Sequence, residues 1–351
     1  MTSKPLDSPA ASGRAREQLP GGGVRGFDKA AWERQIAGCR QPSSWRAGWQ
    51  LVNTLGPYLL LAYVTFLSLG LSWWLTGALC VVEAALLVRL FIIFHDCVHG
   101  SFLRSRVLND LVGIVTGVLT FTPYRYWQHE HLVHHSSAGD LARRGMGDMW
   151  TMTTQEYLQS SRWRRFCYRV ARSPLILFLV APLPVFVISQ RFCRRPTTSR
   201  ERHSVYLTNA ALVGVAVACS AVIGIWTYLA LQMGVMLLAG AAGIWLFYVQ
   251  HQFEDVYWER GKDWDYSAAA LQGSSYYKLP AVLRWFSGNI GFHHIHHLSP
   301  RIPNYNLQRC HDSGLLPGKV KPITLLSSLN CLSLRLWDEQ SKRLVGFNAL
   351  Q

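Results

Sequence analysis

The sequence predicts an all-α integral membrane protein: four transmembrane helices in two hairpins, with re-entrant or interfacial helices, under a cytosolic helical cap. Three observations carry this reading. Of 351 residues, 50 % are apolar and only 16 % are charged, where soluble domains carry about a quarter charged. No charged residue occurs from Leu51 to Val82, nor from Ser204 to Gln250. The Lys and Arg responsible for a formal charge of +15 concentrate in the N-terminal 50 residues, the middle segment and the C-terminal hundred. So apolar a composition also excludes disorder of the chain as a whole.

Residues 1–30, rich in Gly, Pro, Ser and charge, read as a disordered tail ahead of a single domain over 31–351. Residues 1–50 hold no apolar core of signal-peptide length, so none is expected. The Gly21–Gly23 run precedes no strand–helix unit, which argues against a nucleotide loop. A span needs about 20 apolar residues. The first charge-free stretch, continued through Glu83 and Arg89 to Phe94, therefore holds spans at about 54–72 and 75–94, turning near Ser72–Gly77. The second holds spans at about 206–227 and 231–250, turning near Thr227–Met233. Glu83 and Arg89 are expected to face the protein interior, because ionisable groups are costly in lipid. The positive-inside rule then puts both termini and the cap, residues 95–204 and 251–351, in the cytoplasm.

Two shorter apolar runs remain. Leu111–Pro123 is too short to cross. Pro174–Ser189 is broken by Pro182 and Pro184, and Arg-rich flanks, Arg162 to Arg172 and Arg191 to Arg202, lie on both sides of it. A crossing would leave one cluster on the wrong side of the membrane, so both runs read as re-entrant or interfacial. Eight scattered Cys without a CxxC pair suit a reducing compartment.

Histidine carries the chemistry. Ten of the 13 His fall in three short windows: HDCVH at His95–His99, HEHLVHH at His129–His135, and HHIHH at His293–His297. On a helix, His95 and His99 share a face as i and i+4. His131, His134 and His135 are i, i+3 and i+4, and so are His293, His296 and His297. Each box thus aims two or three imidazoles in one direction, as a metal site requires. Imidazole suits Zn, Cu, Fe and Ni. A single Zn takes about four ligands, so eight or nine His are too many for it, and two irons sharing them is the economical count. The HExxH zincin pattern is absent, since Val133 stands where its second His would be, and no GxSxG elbow or thiolate accompanies the boxes.

The three boxes, with Leu298-Ser299-Pro300-Arg301-Ile302-Pro303-Asn304-Tyr305-Asn306-Leu307 after the third, resemble the membrane fatty acid desaturase family, especially bacterial acyl-lipid desaturases of the delta-12/omega-6 type. The stretch from Ser137 to Asp148, the segment Gln250–Asp255 and Gly288-Asn289-Ile290-Gly291 agree with that subgroup. The resemblance covers roughly residues 30–325. It implies a non-haem di-iron site in a cytosolic cap over four membrane helices, in a bacterial inner membrane. It also implies O2 as co-substrate and a double bond introduced into a long fatty acyl chain held on a lipid. The matching ligands are His95 and His99; His131, His134 and His135; His251; and His293, His296 and His297. His129 and His294 lie outside the HxxHH pattern and are expected to stand behind the ligands or apart from them.

His251 also closes a charge-free span on the side where the boxes must lie. Asp96, Glu254 and Asp255 are candidates to orient ligand imidazoles through the second ring nitrogen. Asn289, one turn before His293, is a candidate to hold a metal-bound water. A membrane hydroxylase of alkane or carotenoid type would use the same site. A His-lined divalent-metal transporter is the reading outside enzymes, and the uncharged stretch 204–250 counts against it. The chain shows no flavin, haem or iron–sulfur signature, so electrons are expected from a separate acidic carrier, ferredoxin-like or cytochrome b5-like, drawn to the basic cap. The competing role for the same arginines is to fix topology and hold anionic membrane lipids. No nucleic-acid partner is expected.

Overall fold

The computed structural model describes residues 28–316 and 320–350. The expected tail therefore lies outside the described residues as far as residue 27, while Lys29 and Ala30 already belong to helix α1 (Lys29–Gln35). The first hairpin is α2 (Ser44–Ser68) and α3 (Trp73–Val98). Helices α4 (Arg106–Leu119) and α5 (Tyr124–Ser137) follow, bent by 100° to one another. Beyond strand β1 (Met152–Thr153) come α6 (Thr154–Gln159) and α7 (Arg162–Ala171), then two π-helical segments, Ile176–Val180 and Leu183–Ile188. The second hairpin is α8 (Ser199–Ile223) and α9 (Ile225–His251). Short elements complete the cap: α10 (Tyr266–Gln272), β2 (Tyr276–Tyr277), α11 (Ala281–Phe286), α12 (His293–Leu298), α13 (Asn304–Asp312), β3 (Pro322–Ile323), α14 (Leu325–Ser328), β4 (Leu336–Asp338) and β5 (Arg343–Val345).

Among the described residues four helices, α2, α3, α8 and α9, are long and apolar enough to cross a membrane. Their ends differ from those that hydropathy suggests, because capping rather than apolarity sets them. The Ser43 hydroxyl accepts from the Arg46 N–H and the Thr198 hydroxyl from the Glu201 N–H, and these caps start α2 and α8 well inside the polar flanks. Ser72 caps α3, which places the first turn at 69–72. The second turn is the single residue Gly224, at φ +81°, a conformation glycine takes without strain. Thr227–Met233, the expected turn, lies within α9.

Helix α3 is the axis of the bundle, packed against α2, α4, α9 and α11. Its cap-side half is buried all round, whereas α2 and α8 expose Leu59, Leu60, Tyr63, Val213 and Val217. Glu83 and Arg89 both face inward. The Arg89 guanidinium donates from Nε to Thr54 Oγ1 at 3.0 Å and from a terminal nitrogen to the Trp285 carbonyl, and it lies over the Trp285 ring. It thereby ties two spans to the cap. Helix α4 is too short to cross and sets Gly113, Thr116 and Gly117 against its neighbours while Leu111 and Val115 stay exposed. The π-helical segments follow from Pro182 and Pro184, which remove the N–H groups an α-helix would use. They pack on α9, where Pro182 sits so close to Gly240 that an added Cβ would come within 2.8 Å of it.

Small strands add a minor β component to the helical cap: β4 pairs parallel to β1 and antiparallel to β5, and β2 pairs with β3. The sequence gives little signal for pieces this short.

Gly117→Ala should test the α3–α4 contact. The new Cβ would lie 2.6 Å from the Thr122 carbonyl oxygen and 3.0 Å from the Phe94 ring, an overpacking expected to cost about 1–3 kcal/mol. Gly214→Ala, on the exposed side of α8 with open space around it, should be neutral or stabilising by up to about 1 kcal/mol. Thermal unfolding of both variants in detergent measures the contrast.

Candidate metal centre

The histidines come from four elements. His95 and His99 close α3, His131, His134 and His135 form the last two turns of α5, His251 is the last residue of α9, and His293, His296 and His297 lie on α12. Two spans thus deliver imidazoles at their cap-side ends, while α5 and α12 supply the rest. His95, His99, His131, His135 and His296 can each present a ring nitrogen within 4.8 Å of the others; His134, His251 and His297 form a second such group. His293 joins the second through an Nε2–Nε2 approach of 3.0 Å to His251. His129 and His294 stand apart: His129 is half-exposed beside Glu201 at 3.3 Å, and His294 points toward Tyr276 and His311.

The spacing has chemical content. Nε2 atoms approach within 3.0 Å for His99–His131, 3.1 Å for His131–His135, 3.0 Å for His135–His296 and 3.2 Å for His134–His251. Two nitrogens bound at right angles about 2.1 Å from one metal ion would lie about 3.0 Å apart. Burial and mutual repulsion push His131, His135, His293, His296 and His297 well below the ordinary histidine range, so these rings are held neutral. So many converging neutral imidazoles cannot all serve one another as hydrogen-bond donors. On the side of the ring away from these Nε2 contacts, His135 Nδ1, His293 Nδ1 and His296 Nδ1 have no partner among the described residues, and neither has His297 Nε2. A cluster of lone pairs around two centres suits two cations.

Several rings are oriented from behind. His134 Nδ1 lies 2.7 Å from Asp148 Oδ1, His251 Nδ1 lies 3.2 Å from the Gly273 carbonyl, and His95 Nδ1 lies 3.4 Å from Asp96 Oδ1. Each acceptor favours the proton on Nδ1 and leaves Nε2 for the centre. Asp148 reaches His134 because Gly147, at φ +72°, turns its loop onto α5, where a Cβ would crowd both His134 and the Glu130 carbonyl. Asp96 has a further partner: its Oδ2 accepts from the backbone N–H of Asn304 at 2.6 Å and from Asn304 Nδ2 at 2.8 Å. Gln50 on α2 donates to Asn304 Oδ1 at 2.9 Å. The segment after the third box thereby locks it to the first.

Glu254 and Asp255 are exposed, and neither has an imidazole hydrogen bond among those found in the described residues. Asn289 takes a positive φ of 60° and donates from Nδ2 to the Asn304 carbonyl at 3.0 Å, which shapes the turn before α12. Asp148 and the Gly273 carbonyl are the orienting groups that spacing did not reveal. Three half-buried aromatics also escaped it: Phe91, Trp127 and Phe247, each four residues before a histidine of the cluster. Trp127 stacks on His131 at 4.3 Å, Phe91 packs edge-on to Trp127, and Phe247 lies 5.3 Å from His134 and 5.0 Å from His251. The i, i+4 offset from each box was the available signal.

The profile of the family described as "Fatty acid desaturase" matches residues 71–323. A protein named "Fatty acid desaturase" from Bacillus subtilis (strain 168) is 45 % identical over 318 residues, covering 91 % of this chain and 90 % of its own length. From Synechocystis, an "sn-1 acyl-lipid omega-3 desaturase (ferredoxin)" is 24 % identical over 82 % of this chain and 78 % of its own. An "sn-1 oleoyl-lipid 12-desaturase" from the same organism is 26 % identical over 78 % of this chain and 77 % of its own.

Asp148→Asn should lower metal affinity about 10- to 100-fold, the usual effect of losing an outer hydrogen-bond partner. Glu254→Gln should leave it unchanged. Metal retained after graded chelator dialysis distinguishes the two variants.

Proposed function

Because the chain belongs to the fatty acid desaturase family, a family of membrane-bound oxidoreductases, we propose that it is an O2-dependent non-haem di-iron enzyme that introduces a double bond into a long acyl chain carried on a membrane lipid. The observation that carries this reading is the convergence of nine imidazoles at the cap-side end of two apolar spans. On this reading His95, His99, His131, His135 and His296 hold one iron, and His134, His251, His293 and His297 the other. All-imidazole donor sets suit iron, and neutral rings are the form that binds. When bound, the irons supply the oxidising power with which O2 removes one hydrogen from each of two adjacent methylenes.

The chain's own residues do the rest. Asp148, Asp96 and the Gly273 carbonyl keep the Nδ1 protons outward, so that Nε2 faces the centre. Phe91, Trp127 and Phe247 offer an apolar aromatic wall one turn from the ligands, against which a methylene chain can lie with water excluded. An acyl chain arriving from the bilayer meets this wall without crossing the polar cap, and the acyl-lipid names of relatives accord with a lipid-linked substrate. Two electrons leave the substrate as the double bond forms, and two more with two protons bring O2 to two waters. The second pair is assigned to a separate acidic carrier, ferredoxin-like or cytochrome b5-like, docking on the cap; one relative's name includes ferredoxin. Residues 31–351 act as one unit, with the cap, the site and both termini on the cytoplasmic side of a bacterial inner membrane.

His135→Ala and His296→Ala should each abolish turnover and lower bound iron, while membrane insertion is unchanged, since both side chains belong to the buried centre of the cap. Product mass settles the reaction type: loss of two hydrogens supports desaturation, and gain of one oxygen supports the hydroxylase alternative. Supplying the same acyl chain on a phospholipid and as a free acid tests the carrier group, with turnover expected only from the phospholipid. Full iron content and turnover in either variant would overturn the assignment.

A further inference from the structure

We infer that α7 is a lipid-docking helix whose arginines take the phosphate of an anionic phospholipid at the membrane surface. The two Arg-rich segments, alike in sequence, have different structural fates. In the second, Arg191 donates to the Phe121 carbonyl and to Asn209 Oδ1, and Arg195 pairs with Glu201 and Glu130 and donates to the Tyr126 carbonyl. Those two cations are used within the fold, while Arg194, Arg200 and Arg202 are exposed and form no ion pair with a carboxylate among the described residues. On α7, Arg162, Arg164, Arg165 and Arg169 form no ion pair with a carboxylate among the described residues, although six arginines elsewhere do. Arg165 donates only to the Ser160 and Leu158 carbonyls, and Arg169 to the Tyr157 hydroxyl.

The geometry of the helix selects the partner. Arg162, Arg165 and Arg169 recur at i, i+3 and i+7 and line a groove of about 430 Å³ with Phe166 and Phe347. Trp163, Phe166 and Val170 repeat the same spacing one residue on, and Trp163 is 71 % and Phe166 55 % exposed. An adjacent cationic stripe and bare aromatic stripe are the pattern of a helix lying in a membrane interface. Its depth is fixed at both ends of its connection. Arg172, just after α7, is buried and donates to Gln252 Oε1 at 2.8 Å, beside the last residue of α9. The chain then enters the apolar segment 176–188, whose Leu179 and Val180 are exposed. Exposed apolar side chains thus run from α7 into the segment that packs on α9. A soluble acidic carrier would not require Trp163 and Phe166 to be bare; a phosphate above acyl chains matches both stripes.

The test uses full-length protein purified in detergent after equilibration with mixed phosphatidylcholine and phosphatidylglycerol, with Arg162→Gln/Arg164→Gln as the variant. Neither side chain forms a hydrogen bond or ion pair among the described residues, and a melting temperature equal to the parent's confirms folding. Phosphatidylglycerol retained per chain, measured by mass spectrometry, should fall about tenfold in the variant and in the parent at high salt, with the KM for the electron carrier unchanged. The single variant Trp163→Ser should also reduce retention while keeping every charge. Undiminished retention in both variants overturns the proposal, and a raised carrier KM with retention intact assigns the face to the carrier instead.

Discussion

The central constraint is that nine imidazoles must share one small volume. A protonated ring there would lose its hydration and face several like neighbours, and burial with mutual repulsion drives the affected rings toward the neutral form. Neutral rings facing one another leave lone pairs without donors, a costly arrangement in a buried site. Bound cations would resolve that cost. The rest of the structure reads as a means of bringing these rings together and preventing their separation.

The bundle and cap share that work. Helices α3 and α9 set the depth of the site, since His95, His99 and His251 lie at their ends. The bridge from Asp96 to Asn304 and on to Gln50 joins α3, the segment after α12 and α2. Arg172 holds Gln252, next to His251, and Arg195 ties Glu130 of α5 to Glu201 at the start of α8. Arg89 joins α2, α3 and α11. These buried polar links fix register among elements far apart in sequence, where apolar packing alone would tolerate slippage.

Sequence spacing revealed what is local. The i, i+3 and i+4 offsets of the boxes put imidazoles on one face of a helix, and charge-free length revealed four spans. Spacing could not reveal partners that meet only through tertiary contact: Asp148 reaches His134 across a loop turned by Gly147, and the Gly273 carbonyl reaches His251. Glu254 and Asp255, near His251 in sequence, point outward because the chain leaves the helix at Gln252. Helix ends depart from the limits of apolarity where a cap or one glycine decides them, as at Ser43, Thr198 and Gly224. The two arginine clusters look equivalent as composition. Only their neighbours show that Arg195 is spent on carboxylates while Arg162 and Arg164 are left facing outward.

The central claim, that these imidazoles form two iron sites, is tested most directly by iron K-edge X-ray absorption on the purified, active enzyme together with its metal content. The account predicts about two irons per chain, each in a shell of nitrogen scatterers with the multiple-scattering signature of imidazole. A single metal per chain, zinc in place of iron, or a shell dominated by oxygen or sulfur in fully active enzyme would contradict it.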